Sequence, residues 1–155
     1  MSESPRRVWV TGIAALSPLG LDAESTWRAM LEGRSGVGPI TQFDPSAFSS
    51  RIAGEVEGFD PEKWMEPREV KKTDRFIHFA VACAQMAIEH AELELERVDR
   101  TRFGVVIGSG IGGLGLLEQQ HRSYLERGPR RISPFLIPGM IINLASGMVS
   151  IRFGL

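Results

Sequence analysis

Cysteine is nearly missing from this sequence. Cys83 is the only one among 155 residues, so no internal disulfide framework can form. Three histidines, His78, His90 and His121, are too scattered to complete a Cys/His zinc site, and no metal is expected. Charge of one sign is not in excess either: 18 Lys and Arg stand against 19 Asp and Glu, for a net charge of −1. Without a global basic field there is no electrostatic footprint for nucleic acid, and a charged partner must meet a local patch. Uninterrupted apolar runs are lacking too. Arg6 and Arg7 followed by residues 8–19 have the outline of a secretory signal, but Thr11, Gly12, Ser17 and Pro18 break it up. Residues 132–151 have about the length of a membrane span, yet Pro134, Pro138 and Asn143 would be penalised in hydrocarbon. A buried N-terminal strand and a core helix are the expected readings, with no membrane partner and a cytoplasmic location.

What is present is ordinary globular composition, 43% apolar and 24% charged, at a length that allows one domain. Residues 6–12 (RRVWVTG) predict a first strand bounded by glycine. Asp22 is placed to cap a helix ending at Gly33, on which Trp27, Met30 and Leu31 share one face. Residues 33–50 are rich in Gly, Pro and Ser and predict a loop, and residues 51–56 (RIAGEV) a short strand. One long helix is expected from near Pro67 to about Glu92. Ile77, Ala80, Val81, Ala84, Ile88 and Ala91 recur along it at helical spacing. A second stripe of Phe76, Ala80, Cys83 and Ala87 predicts that it is covered from several directions.

Residues 102–108 (RFGVVIG) are the clearest strand, a continuous apolar run suited to a buried parallel sheet. A glycine-rich turn follows at 110–116 (GIGGLGL), then an amphipathic stretch at 117–125 and a basic loop at 128–133 (GPRRIS). Ser133 and Pro134 are suited to the cap and first position of a final helix. Strands alternating with helices predict an α/β fold with a parallel sheet. Two good strands would leave both edges of such a sheet open, so the chain reads as part of a larger assembly.

Gly108, Gly110 and Gly113 have the spacing G-x-G-x-x-G after a strand, the form of a dinucleotide-binding turn. A second strand ending in an acidic residue should follow about 20 positions on. That region is instead the basic loop, so no nucleotide cofactor is expected. The structural alternative is close backbone packing at the strand end, with Ile111 presented to a neighbouring cavity.

In order along the chain, residues 8–20 (VWVTGIAALSPLG), 24–27 (ESTW), Phe43-Asp44 and 71–79 (KKTDRFIHF) resemble the β-ketoacyl-[acyl carrier protein] synthases. So do residues 108–114 (GSGIGGL), 128–135 (GPRRISPF) and 143–155 (NLASGMVSIRFGL), the elongating type II enzymes being most similar. The resemblance implies a thiolase-like layered α/β fold, with helices sandwiching a mixed sheet. Residues 1–155 would be the N-terminal part of its first half. It also implies a homodimer, acyl carrier protein as partner, and acyl and malonyl thioesters as substrates. The family's reaction is a decarboxylating Claisen condensation on a cysteine thiolate assisted by two histidines.

No catalytic residue is assigned by this resemblance, because the family's nucleophile follows the segment matching 143–155 and its histidines come later. Cys83 sits on a buried stripe and is expected to be a core residue, and the chain alone is expected to be inactive. Two supporting sites fall inside it. Arg68, Lys71 and Lys72, at i, i+3 and i+4 on one expected helical face, and Arg130 with Arg131 match the docking surface for the acidic carrier protein. Glu66, Glu69 and Asp74 intervene, so a plain solvated charge run is the competing reading. Ile111 matches a gate on the acyl tunnel, and Phe135, Leu136 and Ile137 a segment that approaches the partner subunit's pocket. Two alternatives stay open: a non-condensing subunit resembling a chain-length factor, and a carrier-protein-binding module without activity.

Overall fold

The computed structural model describes residues 7–155. Helix α1 (Ala23–Leu31) begins where Asp22 accepts the Ser25 N–H at 2.6 Å, satisfying one of the free amides of the first turn. Its stripe of Trp27, Met30 and Leu31 is exposed, however, and Ala29 is the residue it buries. Strands β1 (Val37–Pro39) and β2 (Ile52–Gly54) follow, paired antiparallel with Gly38 opposite Ala53. The strand expected within 51–56 is therefore present, but its partner lies inside the expected loop. Three residues containing Gly and Pro carry no period-2 signal; a distant pairing partner makes them a strand.

The expected long helix is two helices, α2 (Pro67–Val70) and α3 (Arg75–His90). Asp74 turns the backbone extended, at φ −89° and ψ 162°, and restarts the helix. The Thr73 hydroxyl donates to the Glu69 carbonyl at 2.8 Å and closes the end of α2. The periodic apolar residues lie in α3, apart from Ala91 at its cap, so the period holds and the start does not. Ile77 and Val81 of α3 are fully buried and form the core with Met65 and with Val149 of α6 (Leu144–Phe153), which packs along α3.

Between α3 and α6 run α4 (Leu114–Arg127) and the short α5 (Leu136–Met140). The single final helix expected from Ser133 and Pro134 is thus α5 and α6, separated where Ile141 turns extended. Ser133 acts one step earlier: its hydroxyl accepts the Phe135 N–H at 3.1 Å, while its own N–H donates to Gln120 Oε1 of α4 at 2.7 Å.

Residues 7–12 and 103–108 form no strands; Arg6, the first residue of the expected N-terminal strand, lies outside the described residues. Residues 103–108 keep a strand's alternation, with Val105 and Ile107 against the core and Val106 97% exposed. An apolar run can supply that alternation but not the neighbouring strand about 4.8 Å away that a ladder needs. Among the described residues the sheet is the antiparallel β1–β2 pair, not the parallel sheet the pattern predicted.

Candidate functional site

Arg68 is exposed on α2, and Lys71 and Lys72 are exposed in the turn after it. The single helical face expected for these three does not exist, because α2 ends at Val70. Lys72 instead reaches across the fold and sets its Nζ 4.5 Å from the centroid of the Phe135 ring. Arg130 and Arg131 are exposed on a 3-10 turn (Pro129–Arg131) packed on α4, shortly before Phe135. The Lys72–Phe135 contact joins the two basic groups into one strip.

Of the three carboxylates that interrupt this strip in the sequence, Glu66 is exposed, and Glu69 and Asp74 are engaged by partners elsewhere. Glu69 accepts the Glu66 N–H at 3.2 Å and lies 3.6 Å from the Arg152 guanidinium of α6. Asp74 Oδ2 accepts the Leu116 N–H of α4 at 2.6 Å. Among the described residues, Arg68, Lys71, Lys72, Arg130 and Arg131 have no carboxylate within 4 Å. Their charge faces solvent.

Ile111 lies on the loop that leads into α4 and is 72% exposed. Ser109 Oγ accepts the Gly112 N–H at 3.1 Å, and Gly113 donates to the Met140 carbonyl at 2.9 Å, so the turn is held against the end of α5. Gly112 has φ +81°, and a Cβ on Gly113 would come within 2.6 Å of Met140 Cα. These glycines permit a positive φ and a close helix approach. The first turn of α4, where a pyrophosphate would sit in a dinucleotide site, is taken by the protein's own anion, Asp74. Phe135 and Ile137 are exposed and Leu136 is half-buried, so the start of α5 presents apolar surface beside the basic strip.

Residues 5–155 match the family described as "Beta-ketoacyl synthase, N-terminal domain". The chain belongs to the beta-ketoacyl synthase family. It is 49% identical over 150 residues to a 3-oxoacyl-[acyl-carrier-protein] synthase 2 of Coxiella burnetii, covering 97% of this chain and 36% of that protein. A Vibrio cholerae protein of the same name is 47% identical over 152 residues, covering 98% of this chain and 37% of the relative. The chain thus spans little more than a third of the length of these relatives. A Burkholderia phymatum beta-ketoacyl synthase superposes with a TM-score of 0.75 at 23% identity, over 94% of this chain and 36% of that one. A ketosynthase solved in complex with a type II polyketide acyl-carrier protein gives 0.74 at 20% identity, over 94% and 38%. The fold is therefore the thiolase-like α/β fold of ketosynthases, represented here by a helix-rich part with a small sheet.

Within this ketosynthase domain the described histidines and Cys83 stay apart. His78 is buried at the start of α3 with Nε2 3.0 Å from Thr73 Oγ1. His90 accepts the Ile13 N–H through Nδ1 at 3.1 Å, and His121 is exposed on α4. Cys83 is half-buried, and desolvation pushes its thiol pKa up, opposite to what a nucleophilic thiolate needs. Among the described residues no three His, Cys, Asp or Glu side chains gather to hold a metal, and no helix is long and apolar enough to cross a membrane. Sequence reasoning missed the roles of Asp74 and of the Lys72–Phe135 pair. Asp74 had a visible signal, an N-cap residue type before an apolar helix, but nothing local named its partner in α4.

Proposed function

We propose that this chain is the N-terminal part of an elongating β-ketoacyl-[acyl carrier protein] synthase of fatty acid synthesis. Such an enzyme condenses an acyl thioester with malonyl-carrier protein, losing carbon dioxide, and works as a cytoplasmic homodimer. This part contributes carrier docking through Arg68, Lys71, Lys72, Arg130 and Arg131, and acyl-chain selection through Ile111, Phe135, Leu136 and Ile137. The nucleophile and the histidines of the reaction are supplied by another part of the enzyme, since Cys83 lacks a basic partner and its pKa is raised.

The observation that carries this reading is the basic strip, two of whose three interrupting carboxylates, Glu69 and Asp74, are engaged by partners on α2, α6 and α4. A solvated charge run would leave those acids free to neutralise it; here five basic side chains are exposed against one exposed carboxylate, Glu66, a balance that suits an acidic carrier protein. The apolar start of α5 lies next to it, placing acyl-chain contacts close to the docking face. A non-condensing subunit shares the fold, as the ishigamide ketosynthase/chain length factor pair does at 25% identity. Relatives at 40–49% identity are named synthases, which favours the condensing reading.

Titration of the chain with holo-acyl carrier protein across a salt series tests the docking. Affinity should fall as ionic strength rises. Arg130→Glu with Arg131→Glu should weaken binding by about tenfold at low salt and flatten the salt dependence. Equal affinity for the reversed and unsubstituted chains at low salt would sink the reading.

A further inference from the structure

Asp74 occupies the N-cap position of α3, yet its side chain makes no bond to that helix. Its Oδ2 instead accepts the Leu116 N–H, in the first turn of α4, at 2.6 Å and across 42 residues of sequence. The backbone is fitted to the same contact. The Asp74 N–H donates to the Gly139 carbonyl of α5 at 3.2 Å, and a Cβ on Gly113 would stand 3.0 Å from Asp74 Cβ. A Cβ on Gly115 would stand 3.4 Å from Asp74 Oδ2. A carboxylate facing the free amides of a helix N-terminus gains both a charge-assisted hydrogen bond and the helix dipole. Asp74 is therefore the point at which the starts of α3 and α4 and the body of α5 are tied together. Ile111 stands two residues before Gly113, on the loop that this tie fixes.

We propose that Asp74 is a positioning residue for acyl-chain selection: its carboxylate holds the first turn of α4 and so sets where Ile111 stands. The docking lysines, Lys71 and Lys72, stand three and two residues before it, so the carrier face and the Ile111 loop share one anchor. The proposal rests on the gate role for Ile111 stated above. Its first measurement does not.

Asp74→Ala leaves the backbone bonds from Ile77 and His78 to the Asp74 carbonyl in place, so α3 keeps its start. Amide exchange measured on this chain should quicken about tenfold or more at residues 112–116 in Asp74→Ala, against little change in α3. Asp74→Asn keeps an acceptor without the charge and should recover most of the protection. In the condensing enzyme, Asp74→Ala should broaden the range of acyl chains elongated, with Asp74→Asn close to the unsubstituted profile. Ile111→Trp is the reference for the gate and should shorten the accepted chains. Unchanged exchange at Leu116 in Asp74→Ala overturns the proposal. Faster exchange with an unaltered chain-length profile overturns it too, provided Ile111→Trp shifts that profile. If Ile111→Trp shifts nothing, the gate role fails, and selection by Asp74 fails with it, whereas the exchange result still decides what holds α4.

Discussion

Thr73 has one hydroxyl proton, and it goes to the Glu69 carbonyl at 2.8 Å. The Thr73 oxygen is then left as an acceptor for His78, so the ring carries a proton on Nε2. His78 is 8% exposed, and burial is the main cause that lowers its pKa from 6.5. A hydrogen bond to the Val70 backbone and the Asp74 charge oppose that shift, and Arg75 adds to it. A histidine with a lowered folded pKa binds its proton more readily in the unfolded chain. Its contribution to stability is complete above about pH 6.5 and declines as pH falls through the lowered value. Urea unfolding of the chain should show a midpoint that drops between pH 7 and pH 5, with a slope from this group of at most about 1.4 kcal/mol per pH unit. His78→Gln should flatten that part of the curve. An equal drop in the variant would assign the pH dependence to other groups.

Elements in this fold meet through small residues and single side-chain ties. The start of α4 meets α5 closely at Gly113, where an added Cβ would stand 2.6 Å from Met140 Cα and 2.9 Å from the Gly139 carbonyl oxygen. Both contacts are backbone, which cannot swing aside as a side chain would. Gly113→Ala should therefore destabilise the chain by about 1–3 kcal/mol, the usual cost of overpacking, read as a lower midpoint in thermal or urea unfolding. An unchanged midpoint would mean that the loop has room to shift. The glycine spacing was visible in the sequence, but it has the same form in a phosphate-binding turn. What separates the two is whether an anion or a helix stands opposite. Here it is α5, with the Asp74 carboxylate filling the anion position. The break between α2 and α3 has a similar basis. Apolar periodicity continues through α3 to its end, and the two polar positions that stop one helix and start the next, Thr73 and Asp74, are engaged by contacts outside that pattern.

Across the whole molecule the apolar surface is unevenly covered. The core of Met65, Ile77, Val81 and Val149 is closed, while Trp9 is 76% exposed and Val106 97% exposed on extended segments without ladder partners. Residues 12–14 and 104–107 flank a groove floored by Ala80, Cys83, Ala84 and Ala87 of α3. Unpaired extended backbone bearing valines is a template for pairing with another chain. The isolated chain should therefore self-associate as its concentration rises. Val106→Lys should increase the monomer fraction seen by size-exclusion chromatography with light scattering. A monomer fraction equal to that of the unsubstituted chain would show that residues 103–108 take no part in association.

The sequence by itself determined the family, the periodicity of α3, the cap at Asp22, the run that becomes β2, and which residues could form a basic strip. These are local signals: a period, a cap type, a motif in fixed order. Tertiary structure decided everything that depends on who faces whom. It paired β2 with a segment that has no strand pattern and left the strongest apolar run without a ladder. It engaged Glu69 and Asp74 with partners on other elements, leaving Arg68, Lys71, Lys72, Arg130 and Arg131 without a carboxylate within 4 Å among the described residues, and it placed Lys72 on Phe135 to join the two groups. Hydrogen bonds, ring contacts and close helix approaches act over a few ångströms in space, at any separation along the chain. A pattern read along the chain therefore finds the residues, and only the fold assigns their partners.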